Sequence, residues 1–420
     1  MCNSHSFPNT LHYETPAHGG WGLVRMGMLV PDSYQLFVCP FACGRHGALG
    51  AVQHGFKARL SYCYIDQSDI ISGYDALILD AVAALLAQLD ARPRVLFIVV
   101  SCLDDLIGTD CDTVEETLSI RYPDIQFRLA HMNPITLGSK EPPPVGIQRR
   151  IYSLLAPQRT QDCAVNTIGN LVQINPDCEL HKMLQLEGGQ QIRHISNYTS
   201  FDAWQEMARS AKNLILTPPG VRAAQDMEQR CGTPHSFFPI SYDLEEIAQQ
   251  YDAIHEFVNP NSTARYDFTD DLAQAQAAIA QAKTKVGDFP IVLDASAAIR
   301  PFSLAKALNR YGFNVVRIFA EEVIPPDRAA FEWVTANMPQ LEVLQAQHHD
   351  TVKYDKRIEN SLAIGFNAAY ISGSRHVLNL VADEGMFGYY GVKALMGMME
   401  NAMATQANLS AMIEAYGLVV

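Results

Sequence analysis

Short apolar runs alternate with amphipathic segments along most of the chain. Residues 94–101 form an almost unbroken apolar run, which is typical of a parallel strand buried on both faces. Similar runs predict strands at Gln35–Val38, Cys163–Ile168, Asn213–Thr217, Pro290–Asp294, Asn314–Phe319 and Asn367–Ser372. Amphipathic helices are predicted between them, at Ala76–Leu89, Phe201–Ala211, Asp243–Val258 and Ala330–Met338. Strands that alternate with helices predict an α/β fold with mostly parallel sheets.

The number of predicted strands favours several small sheets over one large sheet. A stiff proline segment at residues 140–145 and a turn-rich segment at residues 259–263 are candidate boundaries. With 420 residues, the chain is predicted to form three doubly wound, Rossmann-like domains. Their predicted bounds are 1–155, 156–262 and 263–420, and the last domain ends in a long helix.

The composition excludes several classes of partner. The chain has 31 Lys and Arg against 45 Asp and Glu, a formal charge of −14, which disfavours nucleic acid and anionic membrane. No apolar run is long enough to span a bilayer, and no signal pattern is found at the start. Nine cysteines at irregular spacing do not suggest a disulfide framework. A reducing, cytoplasmic location is therefore expected.

Four cysteines follow predicted strands, where ligands gather in parallel α/β sheets. Cys39 and Cys43 follow the first strand, Cys102 follows the run at 94–101, and Cys63 follows residues 59–62. Thiolates in turns that supply backbone N–H groups can hold a metal or a cluster. The spacing alone leaves structural thiols as an open alternative. The remaining cysteines are expected to be small buried residues: Cys2, Cys111, Cys163, Cys178 and Cys231.

Other motifs carry weaker signals. No Gly-x4-Gly-Lys-Ser/Thr sequence occurs, so no phosphate loop is predicted. His348, His349 and Asp350 are consecutive, and a solvated loop is favoured over a metal site because adjacent side chains rarely point the same way.

The cysteine segments resemble those of a known family. Pro40–Gly44 followed by Cys102–Asp110 resembles the catalytic-component subunits of nitrogenase and their relatives. The relatives include scaffold proteins for cofactor assembly and reductases of chlorophyll and nickel-tetrapyrrole synthesis. Further similar segments are Val165–Gly169, Asn213–Gly220 and Glu384–Gly391, so that the resemblance spans nearly the whole chain. It implies an oxygen-sensitive iron–sulfur cluster, of the [4Fe–4S] type, held by Cys39, Cys43 and Cys102, with Cys63 as a further candidate.

The departures from the family are equally informative. The α-type subunits of nitrogenase anchor their large cofactor through a cysteine in the middle domain and a histidine near the C-terminus. Asn213–Thr217 has no cysteine here, and Phe387–Gly391 has no histidine. The family's first cluster cysteine is expected near residues 14–20, where none occurs, and Cys39 is the candidate replacement. The resemblance thus implies the electron-relay site without the dinitrogen-reducing cofactor.

Two functions follow from the resemblance. The first is an iron–sulfur reductase subunit that takes electrons from an ATP-dependent iron–sulfur reductase and passes them to a substrate. Segments 197–200, 218–222 and 383–390 are expected to line a pocket for a substrate or a cofactor precursor. Arg222 and Arg300 are candidates for binding an acidic group bidentately, but solvation at the surface is favoured for each taken singly. The second function is a scaffold on which a cluster or cofactor is assembled. An α/β binding protein with structural thiols is the third alternative. A partner of the same fold, either a second copy or a paralogue, is expected.

Overall fold

Three parallel β-sheets organise the chain in a computed structural model that describes residues 22–132, 141–353 and 357–415. The first sheet has the strand order β2-β1-β3-β4. Its strands are β1 (Ser33–Cys39), β2 (Leu60–Tyr64), β3 (Val95–Ser101) and β4 (Gln126–Met132). The middle sheet has the order β6-β5-β7-β8. Its strands are β5 (Val165–Ile168), β6 (Ile192–Arg193), β7 (Lys212–Ile215) and β8 (His235–Phe237).

The last sheet has five strands in the order β11-β10-β9-β12-β13. They are β9 (Ile291–Asp294), β10 (Val315–Phe319), β11 (Glu342–Leu344), β12 (Leu362–Ile364) and β13 (His376–Leu378). All the strand pairs described in the three sheets are parallel. The predicted α/β class with parallel, doubly wound sheets is confirmed.

Helices connect the strands, as parallel sheets require. Those before β5 are α1 (Gly22–Met28), α2 (Phe41–Gln53), α3 (Gln67–Ser72), α4 (Asp75–Gln88), α5 (Cys102–Ile107), α6 (Cys111–Arg121) and α7 (Pro143–Tyr152). Between β5 and β9 lie α8 (Glu179–Gly188), α9 (Phe201–Trp204), α10 (Gly220–Cys231), α11 (Leu244–Val258) and α12 (Thr269–Val286). The remainder are α13 (Pro301–Arg310), α14 (Arg328–Asn337), α15 (Phe366–Ser372), α16 (Gly388–Ala404) and α17 (Leu409–Ala415). No helix in the described ranges is long and apolar enough to cross a membrane.

The chain divides into two compact units. The N-terminal unit consists of Gly19–Gln173 and Ile192–Phe237, and it contains the first and middle sheets. The C-terminal unit includes Ile174–Gln191 and Phe238–Val420, and it contains the last sheet with α8 and α11. Each sheet falls within one of the three predicted domains, but the bounds at 155/156 and 262/263 stay predictions.

The centre of the first sheet is buried on both faces. All seven residues of β3 are buried, and side chains from its two faces pack into separate apolar clusters. Phe97 and Val99 belong to one cluster, and Leu96 and Ile98 belong to the other. Burying a side chain of this size contributes roughly 1.5–3 kcal/mol. The sheet is thus a rigid base for the residues that follow its strands.

One predicted strand is wrong. Residues 367–372 lie in α15, and the neighbouring strands are β12 and β13. A short apolar run does not distinguish a buried strand from a buried helix. Ala368 and Ala369 favour the helix, and Asp294 accepts the backbone N–H of Ala368 in its first turn at 2.7 Å.

Candidate functional site

Three of the candidate thiols lie at the carboxyl ends of two neighbouring strands. Cys39 is the last residue of β1, Cys43 lies in the first turn of α2, and Cys102 directly follows β3 as the first residue of α5. Strands β1 and β3 are paired in parallel up to Val38 and Val100. The two strands therefore end side by side, and all three cysteines lie at that edge of the first sheet.

The segment around Cys43 is helical, whereas the sequence analysis predicts a turn. Pro40 precedes α2, and its carbonyl accepts the N–H groups of Cys43 and Gly44 at 3.1 and 3.2 Å. Backbone N–H groups at the start of a helix favour negative charge, and they favour the thiolate form of a cysteine there. A Cβ on Gly44 would lie 3.4 Å from Sγ of Cys39, so glycine at this position leaves space around the sulfur.

The electrostatics connect the thiols into one group. Burial, together with the smaller effects of the charges of Cys43, Cys63 and Asp104, raises the pKa of Cys39 to about 12. Burial also raises the pKa of Cys43, with a further contribution from Cys102. Ionising these thiols together in a buried place is unfavourable unless a cation offsets their charge. Their surroundings therefore favour the neutral thiols unless a metal is bound.

The spacing of the sulfurs differs from that of a mononuclear site. In the described part of the chain, three metal-ligating groups lie within 4.8 Å of one another only at His348, His349 and Asp350. Thiolates around one tetrahedral ion lie about 3.8 Å apart, given a Zn–S bond of about 2.3 Å. Cys39, Cys43 and Cys102 do not meet the 4.8 Å limit as a group, so at least two of their sulfurs lie farther apart than a single-ion site requires.

Cys63 lies on the other face of the first sheet. Val38 is in register with Cys63 and Cys39 with Tyr64, and successive side chains of a strand point to opposite faces. Cys63 packs against the apolar cluster on the face of Val38, whereas Cys39 belongs to the cluster on the opposite face. Of the four candidates, Cys63 is therefore the least well placed.

An exposed aromatic patch adjoins the cysteines and was missed in the sequence analysis. It consists of Phe41, Tyr62 and Tyr64. Phe41 is 65% exposed and stacks on the ring of Tyr64 at 5.2 Å, and the rings of Tyr62 and Tyr64 meet edge to face at 4.7 Å. The signal in the sequence is the alternation of the two tyrosines around Cys63. Exposed apolar groups in one patch are typical of an interaction surface.

The other cysteines follow the prediction in part. Cys111 and Cys178 are buried, as expected, and Cys231 is half-buried. The prediction is wrong for Cys163, which is exposed because it precedes β5 instead of belonging to the strand. Cys2 and residues 14–20, where the family's first cluster cysteine is expected, lie outside the described residues.

The structure corrects the reason given for one prediction about polar residues and the outcome of another. His349 and Asp350 are exposed, in keeping with a solvated segment. The side chains of His348, His349 and Asp350 converge, because the chain turns into a short 3-10 helix there. However, Nζ of Lys353 lies 4.0 Å from Asp350, which disfavours a cation. Arg300 is largely buried and pairs with Glu246 at 2.7 Å, although it was expected to be solvated. Arg222 is exposed, as expected.

The two segments expected to correspond to the large-cofactor anchors lie at β7 and around the start of α16. The segment with Asn213 belongs to β7 and leads into α10. In the C-terminal unit, Glu179 accepts two backbone N–H groups from the first turn of α16, those of Tyr389 and Tyr390, the latter at 3.1 Å. The three segments predicted to line a substrate pocket are divided between the two units, and that pocket stays a prediction.

Comparison with known proteins shows the family and the fold of the chain. The family model for nitrogenase component 1 type oxidoreductases matches residues 20–403. The chain belongs to this family. A solved structure of nitrogenase Cp1 at pH 6.5 is similar, with a TM-score of 0.72, 13% identity and coverage of 96% of both chains. A second one, of nitrogenase Cp1 at pH 5, has a TM-score of 0.66 and 16% identity, and covers 96% of this chain and 90% of the other.

At these identities, the two solved structures establish the fold of this nitrogenase component 1 family member and no more. Comparison with curated protein sequences gives no significant match. The family itself is established by the match over residues 20–403, which include all four candidate cysteines.

Proposed function

We propose that this chain is a nitrogenase-like iron–sulfur protein that relays low-potential electrons from an ATP-dependent reductase to a substrate, and that it is not a nitrogenase. The observation that carries the proposal is the convergence of Cys39, Cys43 and Cys102 at the carboxyl ends of β1 and β3. Membership of a family that binds metal–sulfur clusters supports an iron–sulfur cofactor in general terms. The electron-relay role and the [4Fe–4S] type are part of the proposal.

The donor set fits such a cluster. Thiolates are the usual protein ligands of iron–sulfur clusters, and all four candidates are free thiols. Cys39, Cys43 and Cys102 would hold the cluster, which supplies one-electron transfer at low potential when bound. Their wide spacing favours a cluster over one ion, because each thiolate of a cluster binds a different iron. Gly44 keeps space at the sulfur of Cys39, and the buried base of the first sheet holds this thiol away from water.

A partner of the same fold is part of the proposal. The aromatic patch lies next to the cysteines, and α5, which begins at Cys102, presents Leu106 at 68% exposure. Aromatic and apolar groups at one site would bury favourably against a second subunit. A second copy or a paralogue would thereby cover the cluster, and a fourth cluster ligand could come from it. No phosphate loop occurs in this sequence, so nucleotide hydrolysis would belong to a separate reductase.

The chain's own residues argue against a large nitrogenase-type cofactor. A soft metal cluster needs thiolate or imidazole anchors, and neither Asn213–Thr217 nor Phe387–Gly391 supplies one. Glu179 also occupies backbone N–H groups of the second segment. We therefore expect molybdenum and vanadium to be absent at stoichiometric levels in the purified protein, and either metal at one atom per chain would contradict this part of the proposal.

The ligand assignment is tested by counting iron and acid-labile sulfide in single variants prepared without oxygen. Cys43→Ala and Cys102→Ala are expected to lose most of the iron, because each removes one of the three thiolates. Cys39→Ala is expected to do the same. Cys63→Ala is expected to keep most of its iron, because this thiol lies on the other face of the sheet.

Cys231→Ala is the matched control, since Cys231 is a half-buried cysteine in the same unit that lies at the end of α10. Iron in this variant should equal that of the parent chain. Full iron content in Cys102→Ala would refute the assignment. A colourless, iron-free parent protein would refute the cluster itself and would favour an α/β binding protein with structural thiols.

A further inference from the structure

A cavity in the N-terminal unit carries arginines that the proposed cluster site does not use. Its volume is about 600 Å³, and it lies between β4, α7 and α10. Four arginines and three carboxylates are among the lining residues: Arg128, Arg149, Arg150, Arg230, Glu115, Glu141 and Asp226. This volume is in the usual range for small-molecule sites, about 300–1,000 Å³.

The positive charge is concentrated on three of the arginines. We call Arg128, Arg150 and Arg230 the arginine triad. Among the residues that the structure describes, Glu115 is the one carboxylate that pairs with the triad, at 3.6 Å from Arg128 and 3.3 Å from Arg150. Arg230 donates to the backbone carbonyls of Tyr152 and Leu155 at the end of α7 instead. The triad therefore has an excess of positive charge, although the whole chain is acidic.

Arg149 is different, because two carboxylates already neutralise it. Its guanidinium contacts Asp226 at 2.6 Å and Glu141 at 3.2 Å. It lines the same cavity but is more exposed than Arg128 and Arg150, at 49% against 23% and 33%, and it adds little uncompensated charge. Arg149 therefore serves as an internal comparison for the triad.

Arg128 is the least solvated member of the triad. Its side chain is 23% exposed, its Nε donates to Ser153 at 3.1 Å and its Nη1 donates to the carbonyl of Phe127. In the described part of the chain, Nη2 has no hydrogen-bond acceptor. Burial lowers the pKa of Arg128, and the charges of Arg150 and Arg230 lower it further, whereas Glu115 raises it. A guanidinium that is kept in such surroundings would gain from an anion.

We propose that this cavity binds a small, multiply charged oxyanion through the arginine triad. Guanidinium groups bind phosphate and carboxylate oxygens bidentately, and two or more of them around one cavity select for ligands with several negative charges. The ligand would use Nη2 of Arg128 and the outer N–H groups of Arg150, and Glu115 would oppose it. If the triad were purely structural and only held β4 against the end of α7, no anion binding would be expected.

Calorimetric titration of the full chain with pyrophosphate, and separately with citrate, tests the proposal. Saturable binding of one anion per chain at submillimolar concentration is expected for at least one of the probes. Preference for pyrophosphate would indicate a phosphate-bearing natural ligand, and preference for citrate a polycarboxylate. Absence of saturable binding of both probes in the millimolar range would overturn the proposal.

Two variants with opposite expected effects separate binding from a structural role. Arg150→Gln removes one charged donor and should weaken binding at least tenfold. Glu115→Gln removes the opposing charge but can still accept the N–H of Leu129 through its amide oxygen, and it should tighten binding several-fold. Arg149→Gln, the control, should stay within about threefold of the parent chain. Equal loss in Arg149→Gln and Arg150→Gln, or no change in Glu115→Gln, would overturn the assignment.

Discussion

Asp383 is a buried acid in a left-handed backbone conformation. Its φ is +54°, and that of the preceding Ala382 is +46°. The carboxylate accepts the N–H of Ile299 and the hydroxyl of Tyr242, each at 2.8 Å. Burial raises the pKa of Asp383 to about 6, although these hydrogen bonds act in the opposite direction. The acid thus takes up a proton more readily in the folded chain than in the unfolded chain.

This pKa predicts a pH-dependent stability. Between about pH 4 and pH 6 the folded carboxyl is protonated while the unfolded one is ionised, so that stability from this group is lost as pH rises. A pKa raised by about two units corresponds to roughly 2–3 kcal/mol over that window. Asp383→Asn has no titrating group at this position and should not lose this stability as pH rises. The unfolding free energy of the variant minus that of the parent chain should therefore rise by that amount from pH 4 to pH 7. A difference that does not change with pH, measured by denaturant unfolding, would contradict the account.

The strand ends show which site residues can be predicted from sequence. Cys39 and Cys102 follow apolar runs, and the position of each run fixes the position of its cysteine at the sheet edge. Cys63 also lies in a strand, but the face that it occupies depends on its register with β1. A shift of one residue in the strand register moves a side chain to the opposite face of the sheet. The register is set by pairing between distant segments. The convergence of His348 with Asp350, and the burial of Arg300, likewise depend on tertiary structure.

At the scale of the elements, α10 begins against the turn that follows β5. A Cβ on Gly220 would lie 2.7 Å from Cα of Gly169, so that the two backbones are in direct contact. Gly169 has a φ of +105°, and a Cβ there would lie 2.6 Å from Oγ1 and 2.8 Å from the carbonyl oxygen of Thr217. Both glycines are needed for this close approach in the middle sheet.

Gly169→Ala is therefore expected to destabilise the N-terminal unit by roughly 2–4 kcal/mol, since backbone strain adds to the steric clash. Gly232→Ala is the control: Gly232 ends α10 in the left-handed conformation, but a Cβ there meets only a side-chain atom at 3.9 Å. The control should lower the unfolding free energy by about 1–2 kcal/mol, because only the backbone strain applies there. Thermal unfolding of both variants gives the comparison, and an equal loss in the two would show that the clash is relieved.

The misassigned α15 shows where pattern reasoning about elements fails. Phe366–Ser372 is apolar and seven residues long, which matches a buried strand as well as a buried helix. The helix is fixed by Gly365, whose φ of +104° breaks the chain after β12, and by the carboxylate of Asp294. The eight-residue run at 94–101 predicted β3 correctly because its hydrophobic pattern extends over a whole buried strand.

At the scale of the whole molecule, the aromatic patch predicts assembly with a partner of the same fold. If the partner is a second copy, light scattering without oxygen should show a dimer. Phe41→Asp should then raise the dimer dissociation constant at least tenfold, because it places a charge in an apolar interface. Leu186→Asp, an exposed apolar residue of α8 in the other unit, is the control and should leave the dimer intact. A cluster-loaded monomer at high concentration would contradict the prediction of self-assembly.

The central claim is that this chain carries a redox-active iron–sulfur cluster on Cys39, Cys43 and Cys102. Electron paramagnetic resonance at low temperature, on protein purified without oxygen and reduced with dithionite, tests it most directly. The account predicts a half-integer-spin signal of a reduced cluster that integrates to near one spin per cluster and is lost or converted in Cys102→Ala. Absence of an iron–sulfur signal from the reduced parent protein, or the same full signal in Cys102→Ala, would contradict it.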